Sequence, residues 1–219
     1  MLSPTSSQLL EGADLDAALD DLSATGADFH RRGWSLGTSS NYSVLVGRDP
    51  LELMVTVSGK DKGRLGRGDY VRVGADGKPV EAGAPSSSAE TMLHVVLAEQ
   101  PGVGAVLHTH SPAATLLSDR YARDGVLRLS GYEMLKGLAA HGTHESTELC
   151  PIFENTQDIP TLAEQVRERL TDAEHPLRHG FLIRKHGLYA WGADIAEARR
   201  HIEVFEFLMD CELRRLSLS

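Results

Sequence analysis

The sequence is poor in cysteine, with only Cys150 and Cys211 among 219 residues. These two form no CxxC pair, which excludes a thiolate zinc site and argues against a disulfide framework. The N-terminus lacks the basic and apolar regions of a signal peptide, and no apolar run approaches the ~20 residues of a membrane span. These absences predict a protein of the cytoplasm.

Positive charge is also scarce. The chain has 22 lysines and arginines against 31 aspartates and glutamates, which gives a formal net charge of −9. An acidic surface repels phosphate backbones and anionic lipids, so we expect neither nucleic acid nor a membrane as a partner. A small phosphorylated substrate in a locally basic pocket stays compatible with this charge.

The order of elements favours a single α/β domain over residues 1–219, with residues 1–13 as a loose terminus. Helical and strand patterns intermix along the chain, and hairpins such as the one at Asp76–Gly77 predict a mixed or mostly antiparallel sheet. Ser111 and Pro112 mark the start of one helix. Ser87 and Glu90 fit a capping box at the start of another.

The stretch AVLHTHSP places His108 and His110 at the end of an apolar strand. Side chains alternate across a strand, so the two imidazoles point to one face and Thr109 to the other. A lone histidine is more often a core or surface residue than a ligand, whereas two on one face can converge on one metal ion. The pair therefore predicts a metal site.

A third ligand is available in IRKHGLYAWG, where His186 precedes a glycine that permits close backbone approach. Three histidines with one open position are the donor set of a catalytic zinc site. His94 lies within a helix and is expected to pack. The remaining histidines lie in helical or loop stretches and are expected to be solvated: His30, His141, His144, His175, His179 and His201.

Two small-residue turns could bind an anion. SLGTSSNYSV contains Ser39, Ser40 and Asn41, and TVSGKDKGRL contains Ser58 and Gly59 followed by cations. Backbone N–H groups and hydroxyls in such turns suit a phosphate. Taken alone, the first stretch is better explained as an ordinary turn. The cations Lys62 and Arg64, taken singly, are expected at the surface.

Two glutamates are candidate acid/base groups. Glu90 stands at a helix start, where capping explains it without chemistry. Glu133, in GYEMLKG, lies between a strand and a short helix, where pairing with Lys136 at i,i+3 is the simple explanation. Spacing alone does not choose between the two.

Three segments, in order and spacing, resemble the class II aldolase/adducin family: the turn 36–43 with 56–63, the helix PSSSAE…H with 104–111, and 185–192. The resemblance implies a three-layer α/β/α sandwich with a mostly antiparallel central sheet. It also implies a homotetramer, with each active site between neighbouring subunits, and a divalent metal, mostly zinc.

Within the family, HTHSPAA, SGYEMLKGL, PIFENT and KHGLYAWG resemble members that dehydrate 5-methylthioribulose 1-phosphate in methionine salvage, giving 2,3-diketo-5-methylthiopentyl 1-phosphate. This implies one Zn²⁺ per subunit and Glu133 as the acid/base. Glu90 matches a glutamate of the aldolases, and stays open as a ligand, a second acid/base or a cap. The residues implied for the phosphate are Ser39, Ser40, Asn41, Ser58, Gly59 and Lys62.

Two other functions remain. The first is an aldolase or 4-epimerase acting on another sugar phosphate, since all three reactions pass through an enediolate. The second is a non-enzymatic module of the adducin type, which has no use for three converging histidines.

Overall fold

The computed structural model describes residues 10–172 and 177–218. Within those residues the helices are α1 (Gly12–Arg31), α2 (Thr91–Ala98), α3 (Pro112–Arg120), α4 (Ile159–Leu170) and α5 (Ile195–Leu218). The strands are β1 (Asn41–Arg48), β2 (Leu51–Thr56), β3 (Tyr70–Gly74), β4 (Ala105–Thr109), β5 (Val126–Ser130), β6 (Thr147–Phe153), β7 (Gly180–Ile183) and β8 (Gly187–Gly192). No helix in this part of the chain combines the length and the apolar character needed to cross a membrane.

The eight strands form one sheet in the order β3-β2-β1-β4-β8-β7-β6-β5. Of the seven neighbouring pairs, β6 and β7 run parallel and the others antiparallel. Strand β4 is central, paired with β1 on one side and with β8 on the other. The sheet thereby brings three stretches from distant parts of the sequence side by side.

Helices cover both faces of the sheet. One apolar cluster packs α1, α3 and α5 on one face, and a second packs α2 and α4 on the other. Strand β4 serves both, because Leu107 lies in the first cluster and Val106 in the second. This alternation is what a strand buried on both faces requires. The expected three-layer α/β/α sandwich with a mostly antiparallel sheet is confirmed.

Local expectations were met unevenly. Ser111 caps α3 by accepting a hydrogen bond from the Ala114 backbone N–H at 3.0 Å. The hairpin after β3 turns as predicted, but its return strand is a single bridge between Val73 and Pro79. Proline has no N–H to give to a ladder, and beyond it one backbone hydrogen bond follows, from Val80 N–H to Arg72 O at 2.9 Å.

The loose terminus was expected to extend to residue 13, which is wrong for its last residues. Helix α1 begins at Gly12, and the backbone N–H of Leu10 donates to Val46 O at 2.7 Å. The earlier part of that expectation, residues 1–9, lies outside the described residues.

Candidate active site

The three predicted histidines meet at the end of β4. Their rings lie close together, with centroid separations of 4.5 Å for His108–His110, 5.0 Å for His108–His186 and 4.6 Å for His110–His186. One nitrogen from each lies within 4.8 Å of the others. Such a group of imidazole nitrogens is a candidate metal-binding site.

The hydrogen bonds of His108 leave one nitrogen free for a ligand role. Its Nδ1 donates to Leu188 O at 2.9 Å, while its Nε2 is buried without a hydrogen-bond partner. A backbone carbonyl that fixes one ring nitrogen in this way is typical of metal-ligating histidines. His186 likewise has a buried, unpartnered Nδ1. The donor set therefore fits a divalent transition metal such as zinc.

Burial also keeps two of these rings neutral. It lowers the pKa of His108 well below the ordinary value, and lowers that of His110 to about 4. A metal ligand must offer a lone pair rather than a proton, and these two imidazoles therefore do so at neutral pH.

A glycine makes the third ligand possible. Strand β8 passes so close to β4 that a β-carbon at Gly187 would overlap the carbonyl oxygen of Thr109. The absence of a side chain lets the turn that carries His186 approach the β4 histidines, as the sequence predicted.

Glu90 belongs to this centre and does not cap a helix. Its carboxylate lies 3.2 Å from His186 Nε2 and 3.6 Å from His108 Nε2. It accepts hydrogen bonds from Asn41 Nδ2 at 2.8 Å and from the Tyr189 hydroxyl at 3.0 Å. Helix α2 begins only at Thr91, and Glu90 makes no side-chain cap. The predicted capping box with Ser87 is wrong because long-range partners hold the carboxylate instead.

The predicted anion-binding residues line one cavity of about 160 Å³ together with Glu90 and His110. This holds for all six of them: Ser39, Ser40, Asn41, Ser58, Gly59 and Lys62. Ser40 and Gly59 both have positive φ, 71° and 74°, and both of these sharp bends of the backbone line the cavity. The sequence thus identified two turns that the fold brings to the histidines.

Lys62 was expected at the surface if taken singly, and that expectation is wrong. Only 1% of it is exposed, and its Nζ donates to Thr38 O at 3.2 Å and Lys60 O at 2.6 Å. Burial lowers its pKa to about 8. The cavity therefore contains a cation held in place by backbone carbonyls, whereas Arg64 is exposed as expected.

Glu133 lies apart from the residues that line this cavity. It is 69% exposed, and its carboxylate pairs with Lys136 Nζ at 2.6 Å and His144 Nδ1 at 3.2 Å. Lys136, with a smaller contribution from His144, lowers the pKa of Glu133. Within one chain the structure thus shows the simple i,i+3 pairing, and a catalytic role for Glu133 stays a prediction.

Tyr189 was missed by the sequence reasoning. Its ring stacks on His108 with centroids 4.0 Å apart and planes at 12°, and its hydroxyl bonds Glu90. The signal was available, because Tyr189 stands two residues after Gly187 in a strand and faces His108 across the ladder.

The other histidines divide into two groups. His94 is buried as expected, and it bonds Ser43 Oγ at 2.8 Å. The expectation of solvated rings is wrong for three residues that lie in the interior or nearly so, namely His141, His179 and His201. His30 and His144 are partly exposed, and His175 lies outside the described residues.

Comparison with known proteins agrees with the site. The profile of the family described as Class II Aldolase and Adducin N-terminal domain matches residues 20–213. A methylthioribulose-1-phosphate dehydratase of Marinobacter nauticus is 47% identical over 91% of this chain and 94% of its own. A protein of the same name from Xanthomonas campestris pv. campestris is 51% identical over 85% of this chain and 83% of its own.

Solved structures share the fold at lower identity. An L-fuculose 1-phosphate aldolase superposes with a TM-score of 0.75 at 19% identity, covering 96% of this chain and 90% of its own. YgbL of Escherichia coli, titled a putative aldolase/epimerase/decarboxylase, gives 0.71 at 21% identity, covering 90% and 88%. The family is metal-dependent, and the three-histidine cluster is a candidate for its metal site. The chain belongs to the class II aldolase and adducin family.

Proposed function

We propose that this protein removes water from 5-methylthioribulose 1-phosphate and yields 2,3-diketo-5-methylthiopentyl 1-phosphate, a step of methionine salvage. The observation that carries the proposal is the meeting of a three-histidine cluster and a lysine-containing cavity at one strand end. Relatives that share about half of their residues with this chain, over most of its length, are named methylthioribulose-1-phosphate dehydratase. Those names support the choice of substrate.

The proposed metal is zinc, one ion per subunit, bound by His108, His110 and His186. Three imidazoles, one buried and two partly buried, suit zinc better than a hard cation. When bound, such an ion supplies Lewis acidity that stabilises negative charge developing on substrate oxygens. Glu90, in contact with two of these rings, is a candidate for a further ligand or a second acid/base of the centre.

The substrate phosphate is proposed to bind between the two turns. Ser39, Ser40 and Asn41 offer hydroxyl, amide and backbone donors from one side, and Ser58 and Gly59 from the other. Lys62 contributes the positive charge, and its buried position makes the charge more effective than one at the surface.

The proton transfers are proposed for Glu133. Its carboxylate takes the proton from C3, and the C4 hydroxyl leaves as water with a proton donated by the same group. The enol that remains converts to the 2,3-diketone by moving its hydroxyl proton to C4. A positioned acid/base of this kind contributes roughly 10²–10⁴-fold in rate.

Assembly is part of the proposal, because Glu133 is exposed in the single chain. We propose that the whole chain folds as one domain and that four copies assemble, so that Glu133 completes the site of a neighbour. Light scattering combined with activity at decreasing protein concentration tests this. A monomer with undiminished kcat would contradict it.

Turnover of the proposed substrate is the primary experiment. Purified protein incubated with 5-methylthioribulose 1-phosphate should release the diketone, and a chelator should stop the reaction. Glu133→Gln should lose at least ~10²-fold in kcat while zinc stays bound. Wild-type activity in Glu133→Gln would refute its role and leave the substrate assignment standing.

An aldolase or 4-epimerase is the second candidate. The observation that favours it is the contact of the Glu90 carboxylate with His186. The resemblance implies that the aldolases have a glutamate at this same position. Retro-aldol fragments or an epimerised product in the same incubation would select this candidate, whereas water loss would reject it.

A further inference from the structure

The segment between β5 and β6 makes polar contacts that the proposed site does not use. It is closed at its base by the Gly131 backbone N–H, which donates to His144 O at 3.1 Å. Its first half packs into the interior through Leu135 and Leu138, and Arg200 Nε on α5 donates to Gly137 O at 3.0 Å. The part next to Glu133 is therefore held firmly.

Besides the bond from Gly131 to His144, one inward-facing side chain attaches the second half of the segment to the interior. Between residues 139 and 147 most residues are exposed, but His141 turns inward. Its Nε2 lies 2.6 Å from Glu148 Oε2, and His179 Nδ1 lies 3.0 Å from Glu148 Oε1. We call these three residues, His141, Glu148 and His179, the buried network.

The buried network is complete as a set of hydrogen bonds. Each carboxylate oxygen of Glu148 accepts from one imidazole, which is what a carboxylate only 2% exposed requires. Burial by itself raises the pKa of Glu148, yet His179 and His141 outweigh it and hold that pKa below its ordinary value. The arrangement joins the segment to β6 and to the residue that precedes β7.

His144 stands three residues after His141 and holds the carboxylate of Glu133. Its Nδ1 lies 3.2 Å from Glu133 Oε1, while Lys136 occupies the other oxygen at 2.6 Å. His144 is itself 52% exposed, so the backbone around it must be fixed from elsewhere. Gly131 fixes the His144 carbonyl from the base of the segment, and His141 adds the attachment to the interior.

We propose that His144 is a positioning residue for Glu133, and that the buried network holds His144 in place. The proposal rests on the acid/base role proposed for Glu133. Misplacing an acid/base group by as little as an ångström can lower a rate about a hundredfold, so a contact that sets its direction matters to kcat.

Paired variants of His144 test the contact itself. Asparagine places its amide nitrogen where histidine has Nδ1, whereas leucine removes the donor. We expect His144→Leu to lower kcat about tenfold or more with KM nearly unchanged, and His144→Asn to restore most of it. Lys136 and, to a smaller extent, His144 lower the pKa of Glu133, so His144→Leu should also move the acidic limb of the kcat–pH profile upward.

Paired variants of His141 test the network. Glutamine places its amide nitrogen where histidine has Nε2, so His141→Gln should keep activity that His141→Leu loses. If His141 acts through His144, the double variant His141→Leu/His144→Leu should be little worse than either single variant. Fully multiplicative losses would show independent effects and overturn the coupling.

The control is Glu145→Gln, an exposed residue of the same segment, which should behave as wild type. Wild-type kcat and pH profile in His144→Leu, beside an inactive Glu133→Gln, would overturn this inference alone. An active Glu133→Gln would instead remove the proposed role on which it rests. A second equivalent of zinc, lost in Glu148→Gln but kept in His186→Ala, would make the network a metal site and also overturn it.

Discussion

Glu206 on α5 should make the protein less stable as pH rises. Its carboxyl group is buried behind β4, where the hydroxyl of Thr109 donates to Oε1 at 2.9 Å. Burial raises its pKa, and hydrogen bonds from Ser111 and Thr109 lower it by a smaller amount, so that the net value is about 7. Replacing it by the isosteric, uncharged Glu206→Gln removes this titration.

The magnitude follows from the difference between the folded and unfolded pKa values. The pKa of Glu206 is 4.5 in the unfolded chain and about 7 in the folded protein. The stability that its protonated form contributes is therefore complete only when the pH lies below 4.5. That stability is lost as pH rises through the folded pKa, and one pKa unit corresponds to ~1.4 kcal/mol. The loss is about 1 kcal/mol at pH 5 and about 3 kcal/mol at pH 7 and above.

Urea unfolding of wild type and Glu206→Gln between pH 5 and pH 8 measures this directly. The free energy of unfolding of the variant, relative to wild type, should grow by about 2 kcal/mol between pH 5 and pH 7 and then level off. Groups elsewhere titrate alike in both proteins and cancel in the difference. A difference that is constant over this range would refute a buried, shifted carboxyl at position 206.

Other predictions concern the cavity, the metal and a thiol. Lys62→Met should raise KM for a phosphorylated substrate by about ten- to a hundredfold, as expected for one lost charged hydrogen bond, and an equal KM would argue against phosphate binding there. Removing the metal with a chelator should lower the melting temperature of wild type, because the ion binds the native state, but should not lower that of His186→Ala. Burial raises the pKa of the Cys150 thiol, so a thiol reagent should label Cys150 only after unfolding, whereas labelling at native rates would contradict its burial.

The three-histidine cluster was predictable because its signal is local. In AVLHTHSP the period of a strand puts His108 and His110 on one face, and the structure needs nothing from elsewhere to do so. The glycine after His186 likewise predicts that two backbones approach closely at this point. In the structure a β-carbon at Gly187 would overlap the backbone of β4. The resemblance to a family then placed the three stretches side by side.

The predictions that proved wrong concern residues whose partners are distant in sequence. From the sequence Lys62 is an ordinary polar residue. In the structure α1 packs over it so closely that a β-carbon at Gly26 would lie 2.7 Å from the carbonyl oxygen of Lys62. Glu90 reads as a cap because Ser87 precedes it at the right spacing, but Asn41 and Tyr189 hold it from β1 and β8. Local spacing cannot report contacts that only the assembled sheet creates.

The two carboxylates differ in a way that bears on the reaction. Glu90 is enclosed and already bonded, whereas Glu133 is exposed and has a lowered pKa because Lys136 stabilises its charged form. A carboxyl group with a low pKa is ionised at neutral pH, so as it stands Glu133 has no proton to donate and is a weak base for taking one. Taking the C3 proton and keeping it for the leaving C4 hydroxyl both require a drier surrounding that raises this pKa. The solvent-facing position of Glu133 in the single chain is therefore itself a reason to expect that a neighbouring subunit covers it before catalysis.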